Sequence, residues 1–349
     1  MPSTVQRRAL RSTVAGLGAL ATILAATVPA VAAAPSAAPA GHPAGKGGAC
    51  VRTLDAGTST LGVAFEGETY DVRVHVPDAP DHRALPLVLD LHGSNNNATL
   101  QAQISGLEQV ADAEDVIVAT PTGDLAFEHT LPDGNWAWNV PDVPLTSGTF
   151  PPADARDDVA FLRAVVDQVD GAGCVDDRRV YATGFSGGGR MASALACEAS
   201  DVFAAIAPVA GLRAGRPDPA DLSRPEAGTC EPENPVAVMT FHGTADQVNP
   251  YQGNGDPRWG YTTQLAAHEW ADINDCRVGP RSVAVSDEVT RYAWTKCDEH
   301  ADVVLYEVAD AGHTWPGSDL DMGPLGRTTQ DIDATALMWD FFSSHQRRG

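Results

Sequence analysis

The chain is 349 residues long and carries a formal net charge of −23, from 23 basic and 46 acidic residues. That length can bury a core unaided. The charge excludes nucleic acid and other polyanions as partners, because a strongly acidic surface repels them.

In chain order, Arg7, Arg8 and Arg11 precede an apolar run from Thr13 to Val28, with small residues following at Ala30, Ala32, Ala33 and Ala34. Charged, apolar, then small is the order of an export signal, so residues 1–34 are expected to be a removed signal peptide and the mature protein secreted. An Ala, Pro and Gly-rich spacer over 35–49 follows, and residues 50–349 are expected to form one domain. Within it, short apolar runs predict strands at Tyr70 to Val76, Pro86 to Leu91, Val116 to Thr120, Arg179 to Thr183, Phe203 to Val209, Val236 to Phe241 and Val303 to Val308. Several are uninterrupted by charge, as strands buried on both faces require. Between them, Asp157 to Val169 places Val159, Leu162, Val166 and Val169 at helical spacing, and Thr329 to Ser344 does so with Ile332, Ala336, Trp339 and Phe342. Tyr261 to Ile273 is a weaker helix. Strands alternating with helices specify an α/β fold with a mostly parallel sheet covered by helices on both faces. The Pro, Gly and Asp-rich stretches Leu131 to Asp154 and Leu212 to Pro235 are expected to be loops over the site.

The segment Gly184-Phe185-Ser186-Gly187-Gly188 follows a strand and precedes the helix-prone Met191-Ala192-Ser193-Ala194-Leu195-Ala196. G-x-S-x-G alone is a cheap pattern. Between a strand and a helix, however, it describes a sharp turn that projects a serine hydroxyl above a sheet, with neighbours that must lack bulk. Ser186 is therefore the candidate nucleophile. A serine needs a histidine to take its proton and a carboxylate to fix that histidine's tautomer, and in this fold they follow in the order Ser, Asp, His. Asp246 lies just past the strand Val236 to Phe241, with Asp256 and Asp310 as alternatives. His313 lies in a Gly-bounded loop between the last strand and the last helix. His242 precedes the acid and so has the wrong order for the base, and His268 falls in a helical stretch. Donors for a tetrahedral oxyanion are expected from the backbone N–H of Gly187 and of Ser94, the latter in the loop His92-Gly93-Ser94 that ends an early strand. No metal or cofactor is required by this chemistry, and the chain contains neither C-x-x-C nor H-E-x-x-H.

Four segments together resemble the secreted esterases that include polyhydroxybutyrate depolymerases and the related feruloyl and acetylxylan esterases. They are Leu91-His92-Gly93, Val180 to Gly188, Phe241 to Asp246 with Pro250-Tyr251, and Gly312 to Gly317. The resemblance implies the α/β-hydrolase fold and puts the catalytic roles on Ser186, Asp246 and His313. The chain departs from the depolymerase pattern after His-Gly, where Ser94 and Asn95 to Asn97 replace a Cys and Gln. It also ends only 36 residues after His313, too few for an appended substrate-binding module. The six cysteines imply disulfides in an exported chain, and their count alone permits fifteen pairings. The resemblance reduces these to Cys50–Cys174, Cys197–Cys230 and Cys276–Cys297.

The expected function is hydrolysis of a carboxylic ester through an acyl-serine intermediate, on a soluble ester or oligoester of feruloyl, acetyl-polysaccharide or hydroxybutyrate type. Two other readings keep the scaffold: an extracellular acyltransferase with the same triad, and a non-catalytic binding protein. The expected partner is the small-molecule or oligomeric ester itself, met by a monomer with no membrane association after signal cleavage. Trp138 and Asn139 in the long loop, with Tyr251, Trp259 and Trp315 near the acid and base, are the candidates for substrate contact, since aromatic walls suit a phenolic acyl group or a sugar.

Overall fold

Apolar runs free of charge must be covered on both faces, and the chain achieves this with one large sheet. The computed structural model describes residues 52–80, 82–127 and 131–348. The expected signal peptide, the spacer and Cys50 lie outside the described residues, and with Cys50 the expected Cys50–Cys174 bond.

The strands in chain order are β1 (Gly57–Phe65), β2 (Glu68–Val76), β3 (Leu85–Leu91), β4 (Ile117–Thr120), the two-residue β5 (Leu125–Ala126) and β6 (Trp136–Ala137), β7 (Val175–Phe185), β8 (Ala205–Val209), β9 (Pro217–Asp218), β10 (Asp221–Pro225), β11 (Ala237–Gly243), β12 (Val278–Ala284), β13 (Val289–Thr295) and β14 (Val303–Val308). The α-helices are α1 (Ala98–Ser105), α2 (Leu107–Glu114), α3 (Asp158–Gly173), α4 (Gly187–Glu198), α5 (Thr263–Ile273) and α6 (Ala334–Ser343). Ten strands form one sheet in the order β1-β2-β4-β3-β7-β8-β11-β14-β13-β12. From β4 to β14 the neighbours run parallel, and antiparallel strands close both edges. This is a mostly parallel sheet with helices on both faces, the α/β-hydrolase architecture expected.

Alternation along the strands divides the core in two. Leu87 and Leu89, Val180 and Ala182, and Val303 and Leu305 pack with α3, α4 and α5 on one face. Val88, Tyr181, Val304 and Tyr306 pack with α1, α2 and α6 on the other. Each fully buried Leu or Val contributes roughly 1.5–3 kcal/mol relative to exposure. Four helices begin where a side chain accepts a first-turn N–H: Asn97 for α1, Asp157 for α3, Thr262 for α5 and Asp333 for α6. The Asp333 cap explains why α6 starts at Ala334 and not near Thr329 as periodicity suggested. No helix among the described residues is long and apolar enough to cross a membrane.

β3 is buried throughout and includes a carboxyl group, Asp90. Ser105 Oγ donates to it at 2.6 Å and Gln101 Nε2 at 2.7 Å, fastening α1 to the sheet. Burial pushes the Asp90 carboxyl up to about 7; the Ser105 and Gln101 donors offset part of that, and the Glu108 charge adds to it. Folded Asp90 thus holds its proton across a range where the unfolded chain, at 3.8, has released it. The stability this gives is complete below about pH 4 and is lost as pH rises towards 7. Asp90→Asn, neutral at every pH, should remove that loss. Its stability relative to the unsubstituted protein should climb by a few kcal/mol, roughly, from pH 4 to 8 in denaturant titrations.

Two expected disulfides are formed, Cys197–Cys230 and Cys276–Cys297. The second closes a sequence separation of 21 residues between the end of α5 and the end of β13. On the chain-entropy account that loop stabilises by about 3 kcal/mol. Cys276→Ser/Cys297→Ser should lower the melting temperature by several degrees, read by calorimetry, while ester turnover at 25 °C stays near that of the intact protein.

Candidate active site

The nucleophile turn is built by close approach. Ser186 has φ 55° and ψ −114°, a backbone conformation that L-residues rarely adopt and that persists only where the surroundings enforce it. Its N–H donates to Val209 O at 2.8 Å, and its carbonyl accepts from Arg190 N–H at 3.0 Å to start α4. A Cβ on Gly188 would run into the Leu91 carbonyl, so only glycine lets α4 press against the end of β3. Ser186 occupies the N-cap position of α4, yet its side chain makes no capping bond. The hydroxyl has no hydrogen-bond partner among the described residues, which leaves it free for chemistry.

The β3 loop is fixed around His92. Its Nε2 accepts from Gly123 N–H at 2.9 Å, so Nδ1 carries the proton and donates to Gly93 O at 2.8 Å. Burial lowers this imidazole to about 4, a backbone bond to Gly93 opposing and the Arg156 charge assisting, so His92 is neutral where the protein works. Trp138 Nε1 donates to His92 O at 2.7 Å, and Trp136 N–H and carbonyl bond the backbone of Asn96 and Asn95. Ser94 is thereby set against Gly187: a Cβ on Gly187 would lie 3.0 Å from Ser94 N and collide with its hydroxyl. The two expected oxyanion donors are neighbours across the turn.

The candidate acid and base come from adjacent strand ends. Thr244 N–H donates to Val308 O and Ala245 N–H to Ala311 O, each at 2.9 Å, lacing the β11 loop to the β14 loop. Asp246 Oδ1 accepts from Val248 and Asn249 N–H at 2.8 Å, and Oδ2 accepts from His313 Nδ1 at 2.6 Å. A carboxylate only accepts, so Nδ1 holds the proton and Nε2 of His313 is left as the basic nitrogen. The His313 ring packs on Phe185, the residue before Ser186, with centroids 4.7 Å apart. Asp256 is engaged by Arg258, Asp310 is exposed, and exposed His268 pairs with Asp272.

Chain order gave His242 no role, but the fold gives it one. Buried at the end of β11, its Nε2 lies 3.3 Å from Asp246 Oδ2 and donates to Asn249 O at 2.8 Å, while Nδ1 accepts from Thr263 Oγ1 at 3.0 Å. Burial alone would raise the Asp246 carboxyl. The His242 ring at 3.3 Å and the hydrogen bond from His313 overcome burial and hold it well below the usual carboxylate range. The signal in the sequence was the His-x-x-x-Asp spacing across a tight turn, which places both side chains together whatever the catalytic order.

The five substrate-contact candidates are placed otherwise than as an open aromatic wall. Trp138, Tyr251, Trp259 and Trp315 are 5% exposed or less, and Asn139 donates its backbone N–H to the Asp158 carboxylate and its side-chain amide to Arg156 O. Trp138 fixes the β3 loop, and Trp315 Nε1 donates to Thr335 Oγ1 in α6. Their indole groups anchor loops from within, because a buried N–H needs a partner and a loop carbonyl or hydroxyl provides it.

Residues 69–244 match the family "Esterase PHB depolymerase". The chain belongs to this esterase family. It is 32% identical to the putative esterase NocK of Nocardia uniformis subsp. tsuyamanensis over 82% of this chain and 83% of NocK. Identity to feruloyl esterase B of Piromyces equi is 29%, over 66% of this chain but 40% of that protein, and to feruloyl esterase C of Emericella nidulans 31%, over 53% and 57%. The chain thus spans well under two thirds of both feruloyl esterases. Among solved structures, native pOPH superposes with TM-score 0.51 at 18% identity, covering 87% of this chain and 90% of that one. The acetyl xylan esterase from Aspergillus awamori gives 0.50 at 12% identity, over 74% and 94%. These likenesses establish the fold, and the family membership makes the chain a carboxylic ester hydrolase.

Loss of His242 should be felt through Asp246. His242→Ala should lower kcat about ten- to a hundredfold, the worth of one hydrogen bond to a charged group, with KM little changed. With that neighbour gone the Asp246 carboxyl rises from its depressed position. His242→Gln, whose amide can donate in place of the ring, should recover most of the rate.

Proposed function

We propose that this protein is a secreted serine esterase that cleaves soluble carboxylic esters or short oligoesters through an acyl-Ser186 intermediate. The observation that carries the reading is the 2.6 Å bond from His313 Nδ1 to the buried Asp246, beside a serine whose hydroxyl is not consumed by its own helix. His313 Nε2 takes the Ser186 proton as Oγ attacks the ester carbonyl. The N–H groups of Ser94 and Gly187 receive the oxyanion, and the imidazolium returns its proton to the departing alcohol. Water then attacks the acyl-serine with the same help and releases the acid. The resting Ser186–His313 contact is open, as often holds before substrate tightens such bonds. Disulfides at Cys197–Cys230 and Cys276–Cys297 support an oxidising, extracellular setting, which the signal-like N-terminal sequence also favours. The feruloyl and acetylxylan esterases among the relatives support phenolic or acetyl esters of polysaccharides as substrates.

Ser186→Ala should reduce kcat on p-nitrophenyl acetate and methyl ferulate by about four orders of magnitude or more, with the melting temperature held or raised. Labelling by a fluorophosphonate probe should vanish with it. A purified variant retaining a few per cent of activity, about that much or more, would remove Ser186 from the mechanism.

A further inference from the structure

One turn along α4 from the nucleophile stands a charge with no counter-charge. Arg190 is 4% exposed, its guanidinium makes no hydrogen bond or ion pair among the described residues, and its Nη1 is sealed from solvent without an acceptor there. Arg213, 2% exposed, lies beside it and is satisfied only by neutral groups: Trp259 O, Leu212 O and Asn249 Oδ1. Both guanidinium groups sit over the Trp259 ring, at 5.0 and 5.3 Å from its centroid. Several other arginines in partly or fully buried settings are paired: Arg156 with Asp158, Arg163 with Asp201, Arg216 with Glu226 and Asp142, and Arg258 with Asp256. Two adjacent buried cations with no carboxylate in hydrogen-bond contact, Asp256 and Asp246 acting on them only from further off, are costly to fold around.

Arg190 and Arg213 line a solvent-open pocket with Ser193 of α4, Val140 and Val143 of the long loop, and Thr229. Glu198 stands at the pocket's rim, two helical turns from Arg190, and Arg216 is engaged by its own carboxylates. Burial pulls Arg190 down to about 9, and the neighbouring Arg213 charge pulls in the same sense. An anion in the pocket would relieve both. The pocket wall is tied to the catalytic machinery at two points. Arg190 N–H donates to Ser186 O, and Asn249 joins Arg213 Nη2 to the Asp246 carboxylate through its own N–H.

We propose that this pocket is a carboxylate-binding site, in which Arg190 donates to the carboxylate of an organic anion and Arg213 adds a second positive charge behind it. A planar guanidinium matches a carboxylate with two parallel bonds, and neutral walls at Val140 and Val143 suit the carbon chain that bears it. The carboxylate is either a substituent of the ester substrate or a separate anion bound next to the nucleophile helix. In the first form the inference rests on the esterase mechanism proposed above and narrows its substrates to acidic esters.

The test uses the full secreted chain, with Arg190→Met and Arg190→Lys. Sodium adipate should raise the melting temperature of the unsubstituted protein by several degrees beyond sodium chloride at equal ionic strength. In Arg190→Met the two salts should act alike, and Arg190→Lys, charged but without the fork, should keep a smaller response. Turnover of monomethyl adipate against methyl hexanoate then separates the two sources. A carboxylate carried by the substrate gives a kcat/KM ratio about tenfold or more in favour of the acidic ester, falling to near one in Arg190→Met. A separate anion gives the thermal response with no such ratio. An adipate response no larger than that to chloride, or one equal in Arg190→Met, overturns the site even if methyl hexanoate is hydrolysed. Should neither ester be turned over while the Arg190-dependent response persists, the site stands and the esterase mechanism is what fails.

Discussion

A carboxylate taken out of water has to be given donors, and at Asp246 three are supplied at once, two backbone N–H groups and His313, with the His242 ring 3.3 Å away. Much of the architecture around the strand ends follows from that requirement. The β11 turn has to curl so that Val248 and Asn249 present their N–H groups. The β14 loop has to lie against it so that His313 arrives with Nδ1 inward. His242, on the last turn of strand before the acid, has to be buried with its own ring nitrogens occupied by Thr263 and Asn249. Each of these is a local geometry, and together they leave Nε2 as the basic nitrogen of His313.

Asn249 is the piece through which this arrangement reaches further. Its backbone serves the acid, its side-chain oxygen accepts from Arg213, and its side-chain nitrogen donates to Ala210 O beside the nucleophile turn. Acid loop, arginine pair and nucleophile turn therefore share one buried amide. The low dielectric that strengthens such a network also makes each missing partner expensive, which is why the unpaired Arg190 stands out against the completeness of its surroundings.

The central strands were legible because burial on both faces leaves a run of apolar residues that no other element produces so briefly. The edge strands β1 and β12 were not. Their residues are mostly exposed or half-buried, so their sequences, such as Val278 to Ala284, lack both the run and a clean alternation. α1 and α2 escaped because they bury only a few residues each, Gln101 and Ser105 among them. In the site, the strand-turn-helix around Ser186 and the loops of Asp246 and His313 could be read because order along the chain constrains their roles. His242 could not, since order says which residue acts as base and nothing about which residue steadies the acid. The tryptophans misled for a related reason: a sequence records that an indole is near the site, whereas which of its faces is open depends on packing. Whether an arginine has a partner is likewise decided only in three dimensions.

The Cys197–Cys230 bond joins the C-terminal turn of the nucleophile helix to the loop that follows Leu212. That loop carries β9 and β10 and forms part of the wall above α4, and its Arg213 reaches the acid loop through Asn249, whereas the β11 and β14 loops are laced directly to one another. The tethered segment beyond Arg213 and the paired strand-end loops are consequently held by separate fastenings, one covalent and one of hydrogen bonds. A change of length within the tethered segment therefore leaves the bonds between the two strand-end loops in place.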